Sequence, residues 1–182
     1  MTVLTALGPA LVPFVATTFV LAMVPGVGQA LMTRQTLVRG RRAALASVAG
    51  TGTGLVIWGS AGALGLSAVL LAQPTAYLLL RVVGGLYLVY LGVRGLLAAR
   101  ARDHAVEDVT AADASGERRR DFWQGLATNL GNPKAGVFAV AVLPSFVPPT
   151  APLGPAVFVL GLLWAVVTVA WYVIFVALVG VG

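Results

Sequence analysis

Cysteine is missing from all 182 residues. Disulfides, thiolate metal ligands and dithiol redox chemistry are therefore excluded. Charge is scarce as well. Only 10% of the residues are Asp, Glu, Lys or Arg, against 59% hydrophobic, whereas a soluble domain is about a quarter charged. Too few polar groups are present to clothe a water-facing surface, so lipid is the solvent this composition implies. Acidic residues are absent from most of the chain. All six (Asp103, Glu107, Asp108, Asp113, Glu117 and Asp121) fall in one short window, which also holds the single histidine, His104. The apolar runs thus carry no Cys, His or carboxylate set of the kind that a transported or resident metal needs. No metal site and no cofactor is expected. No nucleophile–base pair or cofactor loop is visible either, so the chain does not read as an enzyme. The first basic residue is Arg34. The N-terminus therefore lacks the charged region of a signal peptide, and the first apolar run is expected to be retained.

What is present are five apolar runs: about Leu4 to Met32, Ala43 to Ala72, Tyr77 to Ala99, Phe122 to Phe146 and Leu153 to Gly182. Each can cross about 30 Å of hydrocarbon as a helix. Apolar and polar residues do not alternate, which disfavours barrel strands, and backbone groups in lipid must bond internally. The predicted fold is an all-α membrane protein, a bundle of five transmembrane helices. The net charge of +6 comes from arginines at the edges of these runs, where topology signals sit, so nucleic acid is not expected as a partner. Arg34, Arg39, Arg41 and Arg42 mark the first connection. Arg100, Arg102 and Arg118 to Arg120 mark the third, while the second and fourth carry none. The positive-inside rule places the odd connections in the cytoplasm and the N-terminus outside. Arg100 to Asp121 reads as a solvated linker.

One stretch, Thr128 to Gly136 (TNLGNPKAG), is out of character with its greasy surroundings. Pro133 lies twelve residues beyond Asp121, which is about 18 Å of helix and near the bilayer middle. Proline there breaks or kinks the helix. Asn132 followed by Pro133 also reads as a helix start, an N-cap with proline at N1. Lys134 adds an ammonium beside that positive end, where carboxylates bind. An ionisable group at this depth is a functional candidate. Asn129 and Asn132 offer amides, although helix-tying hydrogen bonds would also explain them. Pro25-Gly26 interrupts the first run at comparable depth. Thr17 and Thr18 precede it and Gln29 follows; for the threonines, packing hydrogen bonds explain as much as binding does. Paired interruptions in corresponding, oppositely directed helices point to a substrate site between inverted repeats. The candidate substrate-binding residues are Lys134, Asn132, Pro133, Asn129, Pro25, Gly26, Gln29 and Thr18. Carbonyls freed by Pro25 and Pro133 would receive a substrate ammonium. Gly50-Thr-Gly-Thr-Gly54 reads as a close-packing face, and Trp58, Tyr77, Tyr87 and Tyr90 as packing or interfacial aromatics.

These landmarks resemble the LysE/RhtB family of amino-acid exporters along nearly the whole chain. Pro25-Gly26 falls at that family's Pro-Gly-Pro motif, with Val27 in place of the second proline. Arg39-Gly-Arg-Arg42, the Gly50, Gly54, Trp58 spacing with Gly65-Leu66, and Gly84 to Gly92 are similar to its second and third helices. Phe122-x-x-Gly125, Thr128-Asn129 and Asn132-Pro133-Lys134 match its fourth. The resemblance implies a bacterial inner-membrane exporter of amino acids or derivatives, driven by the proton gradient, with six helices as three-plus-three inverted repeats. On that pattern 4–99 is the first repeat, 100–121 a cytoplasmic linker and 122–182 an incomplete second repeat. The alternative expectation is a truncated, non-transporting copy that serves as a packing partner. The expected partners are a small-molecule substrate and membrane lipid; self-association into a homo-oligomer is left open.

Overall fold

The computed structural model describes residues 3–100 and 117–180, and among these every regular element is helical. In chain order they are α1 (Val3–Met23), α2 (Val27–Arg39), α3 (Arg41–Ala72), α4 (Pro74–Arg100), α5 (Glu117–Leu130), α6 (Pro133–Val137) and α7 (Leu153–Val179). A π turn (Phe138–Val142) and a 3-10 turn (Leu143–Phe146) follow α6. The amide of Leu143 donates to Phe138 O, while the next residue, Pro144, has no N–H to give, so the regular ladder cannot continue. Among the described residues three helices are long and apolar enough to cross a membrane: Val3–Met23, Arg41–Leu64 and Leu153–Val179. Pro133–Phe146 is a shorter apolar stretch.

The first and fourth runs are each two helices rather than one, parted at residues 24–26 and 131–132. The first connection, which carries Arg34, Arg39, Arg41 and Arg42, is mostly helical. α2 continues to Arg39, and Gly40 alone makes the turn, at φ +83°, where glycine meets no Cβ penalty. The linker expected at 100–121 lies mainly outside the described residues, as does His104. Its last part, Glu117 to Asp121, forms the first turn of α5.

Helix α3 is central, packed against both α5 and α7. Glycines set these crossings. A Cβ on Gly50 would lie 2.0 Å from Phe122 O, and one on Gly125 2.1 Å from Ser47 O. A Cβ on either Gly59 or Gly161 would lie 2.9 Å from the other's Cα. Small residues let backbones meet where lipid supplies no hydrophobic drive between helices. The main apolar core joins α1, α3, the segment after Pro133 and α7 through Leu7, Phe14, Leu55, Phe138, Leu160 and Trp164. The Phe138 and Trp164 rings stand 4.8 Å apart, and Phe14 meets Phe146 edge-on at 5.2 Å. Large apolar side chains also cover the outside, among them Val12, Leu64, Leu86 and Val166, as a lipid-facing surface requires.

Asp121 departs from the sequence expectation. It was expected on a solvated linker, yet it is only 1% exposed. Arg39 pairs with it through NH1 and Oδ1, and Gln35 Nε2 donates to the same oxygen at 3.2 Å. Ser47 Oγ donates to the Asp121 backbone carbonyl at 2.7 Å. A carboxylate tolerates burial when a cation and hydrogen-bond donors surround it; here α2 supplies both through Arg39 and Gln35, while Ser47 of α3 holds the backbone at the start of α5.

Candidate functional site

The two breaks meet. Pro25 has no N–H, so Leu21 O loses its helical partner, and the last carbonyls of α1 have none. Two side chains from beyond the breaks take their place. Lys134 Nζ donates to Leu21 O at 3.1 Å and Val24 O at 3.4 Å. Gln29 Nε2 donates to Ala22 O at 2.9 Å and lies 3.4 Å from Met23 O. The ammonium therefore sits at the negative end of the α1 dipole, where a cation is favoured. Gly26 flanks it: a Cβ there would stand 3.8 Å from Nζ.

At the second break Asn132 caps α6. Its Oδ1 accepts from Lys134 N at 3.0 Å, and its carbonyl accepts from Ala135 N at 3.0 Å and Gly136 N at 3.3 Å. Pro133 occupies N1, as its fixed φ and missing N–H suit. Asn132 N in turn donates to Asn129 O at 3.0 Å. Trp58 Nε1 lies 3.4 Å from that same carbonyl.

Between the breaks lies a cavity of about 20 Å³. Lys134, Asn129 and Asn132 line it from one side, and Trp164, Thr168 and Tyr172 of α7 from the other. Leu21, Ala22, Leu55 and Ala135 complete its walls. Asn129 is 6% and Thr168 5% exposed, and neither Asn129 Oδ1 nor Thr168 Oγ1 has a hydrogen-bond partner. Tyr172 lies over the start of α2, since a Cβ on Gly28 would be 3.0 Å from its hydroxyl. Chemically the hollow offers an ammonium with one N–H left over, the amides of Asn129 and Asn132, the Thr168 hydroxyl and the rings of Trp164 and Tyr172.

Of the residues singled out in the sequence, Lys134, Asn129 and Asn132 border the cavity, and Pro25, Gly26 and Pro133 shape its two flanks. Two others have different duties. The Gln29 amide is spent on the end of α1. The Thr18 hydroxyl donates to Phe14 O at 2.9 Å and Val15 O at 3.0 Å, and Thr18 is not among the lining residues. Two chemical expectations are corrected. The carbonyls freed by Pro25 already have Lys134 and Gln29 as partners. The leading amides of α6 are held by Asn132, so the helix end has no free amide to offer an anion there. Sequence reasoning missed Trp164, Thr168 and Tyr172. Their spacing of four residues, which places them on one stripe of α7, was the available signal.

The sequence matches the family described as LysE type translocator over residues 19–181. It is similar to the homoserine/homoserine lactone efflux protein of Salmonella typhimurium (strain LT2), at 32% identity over 155 residues, 85% of this chain and 72% of that protein. It is also similar to the threonine efflux protein of Escherichia coli (strain K12), at 32% identity over 128 residues, 69% of this chain and 60% of that one. An uncharacterized membrane protein of Bacillus subtilis (strain 168) is 25% identical over 166 residues, 89% of this chain and 79% of its own length. No solved structure matches.

Proposed function

We propose that this chain, which belongs to the LysE type translocator family, is a multi-pass carrier that exports amino acids or amino-acid derivatives. The observation that carries this reading is the cavity between two broken helices, with the Lys134 ammonium on its wall. Broken helices meeting at a small polar hollow are how carriers hold a substrate at mid-membrane. The names of the similar proteins support the substrate class: threonine, homoserine and its lactone.

In this reading the remaining N–H of Lys134 takes the substrate carboxylate, a charge-assisted bond strengthened by the low dielectric. Asn129 and Asn132 add amide contacts. A hollow of about 20 Å³ has room for a water molecule, so loading an amino acid requires the two broken helices to part. The inverted halves, 4–99 and 122–182, rock about the site to face each side in turn. The carrier sits in the bacterial inner membrane with its N-terminus outside and the 100–121 connection in the cytoplasm, as the arginine distribution supports. The proton gradient drives export, so a protonophore should stop it.

The test is Lys134→Met in cells loaded with L-threonine or L-homoserine. Membrane insertion should persist while export falls at least about 100-fold, since the carboxylate then meets no cation. Export at the unaltered rate by that variant would remove Lys134 from the site.

A further inference from the structure

We infer that Thr168 and Asn129 hold the ammonium of the exported amino acid, opposite the carboxylate at Lys134. The assignment rests on the cavity being the substrate site, and it replaces the proline-freed carbonyls as the ammonium's seat. Three observations carry it.

The first is a matter of elimination. Carbonyls freed by Pro25 and Pro133 were the expected acceptors: those of Leu21, Ala22, Met23 and Val24 are engaged by Lys134 and Gln29, and Asn129 O, four residues before Pro133, accepts from Asn132 N. A substrate ammonium needs other acceptors. The second is what remains. Asn129 and Thr168 both line the cavity, and their side-chain oxygens, Oδ1 and Oγ1, are buried and lack partners. In lipid a buried acceptor without a donor is unfavourable, and the donor that a zwitterionic amino acid brings is its ammonium. The third concerns the hydroxyl itself. A threonine or serine inside a helix ordinarily bonds back to the preceding turn. Thr17, Thr18, Thr36, Thr53 and Ser60 all do so, at 2.7 to 3.1 Å. Thr168 makes no such bond. The rings of Trp164 and Tyr172, one turn to either side, suit a cation as well. The site is thus bipolar, with the anion held from α6 and the cation from α5 and α7.

The experiment uses the full chain in liposomes, at mildly acidic pH where both amines are charged. The two probes are L-homoserine, which has ammonium and carboxylate, and L-homoserine lactone, which keeps the ammonium and has no free carboxylate. Thr168→Val preserves shape and removes the hydroxyl. It should raise the half-saturating concentration about ten-fold for both probes, the loss of one hydrogen bond to a charged group, and Thr168→Ser should restore both. Lys134→Met should weaken homoserine and spare the lactone. If Thr168→Val leaves both probes unchanged, or weakens homoserine alone, the assignment is wrong. Failure of Thr168→Ser to restore transport would show a packing role and overturn it too. A chain that moves neither probe before any substitution fails at the export reading itself, a separate and recognisable result.

Discussion

Gly54→Ala should leave the protein folded and cripple export, and the geometry says by how much. A Cβ at this position would lie 2.6 Å from Asn129 Oδ1 and 3.0 Å from both its Cβ and Cγ. Ordinary contact begins at 3.4 Å, so the amide oxygen must move by about 0.8 Å and the rest of the side chain by about 0.4 Å. The obstacle is a side chain and not a backbone. Accommodating it costs about 1 kcal/mol, and replacing glycine by alanine inside a helix returns about 1 kcal/mol. The two offset, so the melting temperature in detergent should stay within about 3 °C. Transport has no such compensation. An amide oxygen displaced by most of an ångström loses its charge-assisted bond, worth about 1.5–3 kcal/mol, which raises the half-saturating concentration for L-homoserine about 10- to 150-fold. Efflux from loaded liposomes, measured beside a thermal melt, reads both quantities. Unchanged efflux with an unchanged melt would show that Asn129 does not touch the substrate. A collapsed melt would show that its amide serves packing alone.

Gly125→Ala should do the opposite damage. Its Cβ would meet Ser47 backbone atoms at 2.1 to 2.8 Å, forcing α3 and α5 apart, and the melting temperature should fall by at least about 5 °C. Gly85→Ala, which meets nothing within 4 Å, should hold or raise it; equal melts for the two would refute the crossing argument. Asp121→Asn should cost about 3 kcal/mol, the low end for a broken buried pair because Arg39 keeps 22% exposure. Adding Arg39→Met should recover part of that loss in the same melt, as coupled partners do. Gln29→Leu leaves Ala22 O and Met23 O without a donor and should destabilise by about 1–3 kcal/mol, with no gain in affinity for either probe.

The two breaks were legible in the sequence because proline chemistry is local. A missing N–H at Pro25 or Pro133 interrupts a helix whatever surrounds it, and Asn132 next to Pro133 spells out its own cap. The partners of the freed groups were not legible, because they come from far along the chain. Nothing near Leu21 announces that Lys134, 113 residues on, will reach its carbonyl. Gln29 looked like a polar group awaiting substrate, but its amide folds back over the break onto Ala22 O, a conformation that residue type does not reveal. Asp121 was hidden differently. It stands at the edge of a charged window, so composition assigned it to water, while Arg39, 82 residues earlier, pulls it inside. Thr168 was lost among Val and Ala in a run without charge, where one hydroxyl weighs little in any composition count.

A broken helix in lipid exposes backbone groups that no water can satisfy, and this chain answers at both breaks from within. The end of α1 receives an ammonium and an amide, and the start of α6 receives Asn132. Once those groups are served, Asn129 Oδ1 and Thr168 Oγ1 still lack partners, and both residues line the same hollow. Stability alone would favour apolar side chains at these two positions. Across the hollow's edge Lys134 ties α6 to α1 by two bonds, at 3.1 and 3.4 Å. In the proposed reading an incoming carboxylate competes for that same ammonium with a full negative charge against two partial ones, so the substrate itself would weaken the link between α1 and α6 that must yield before it can fit.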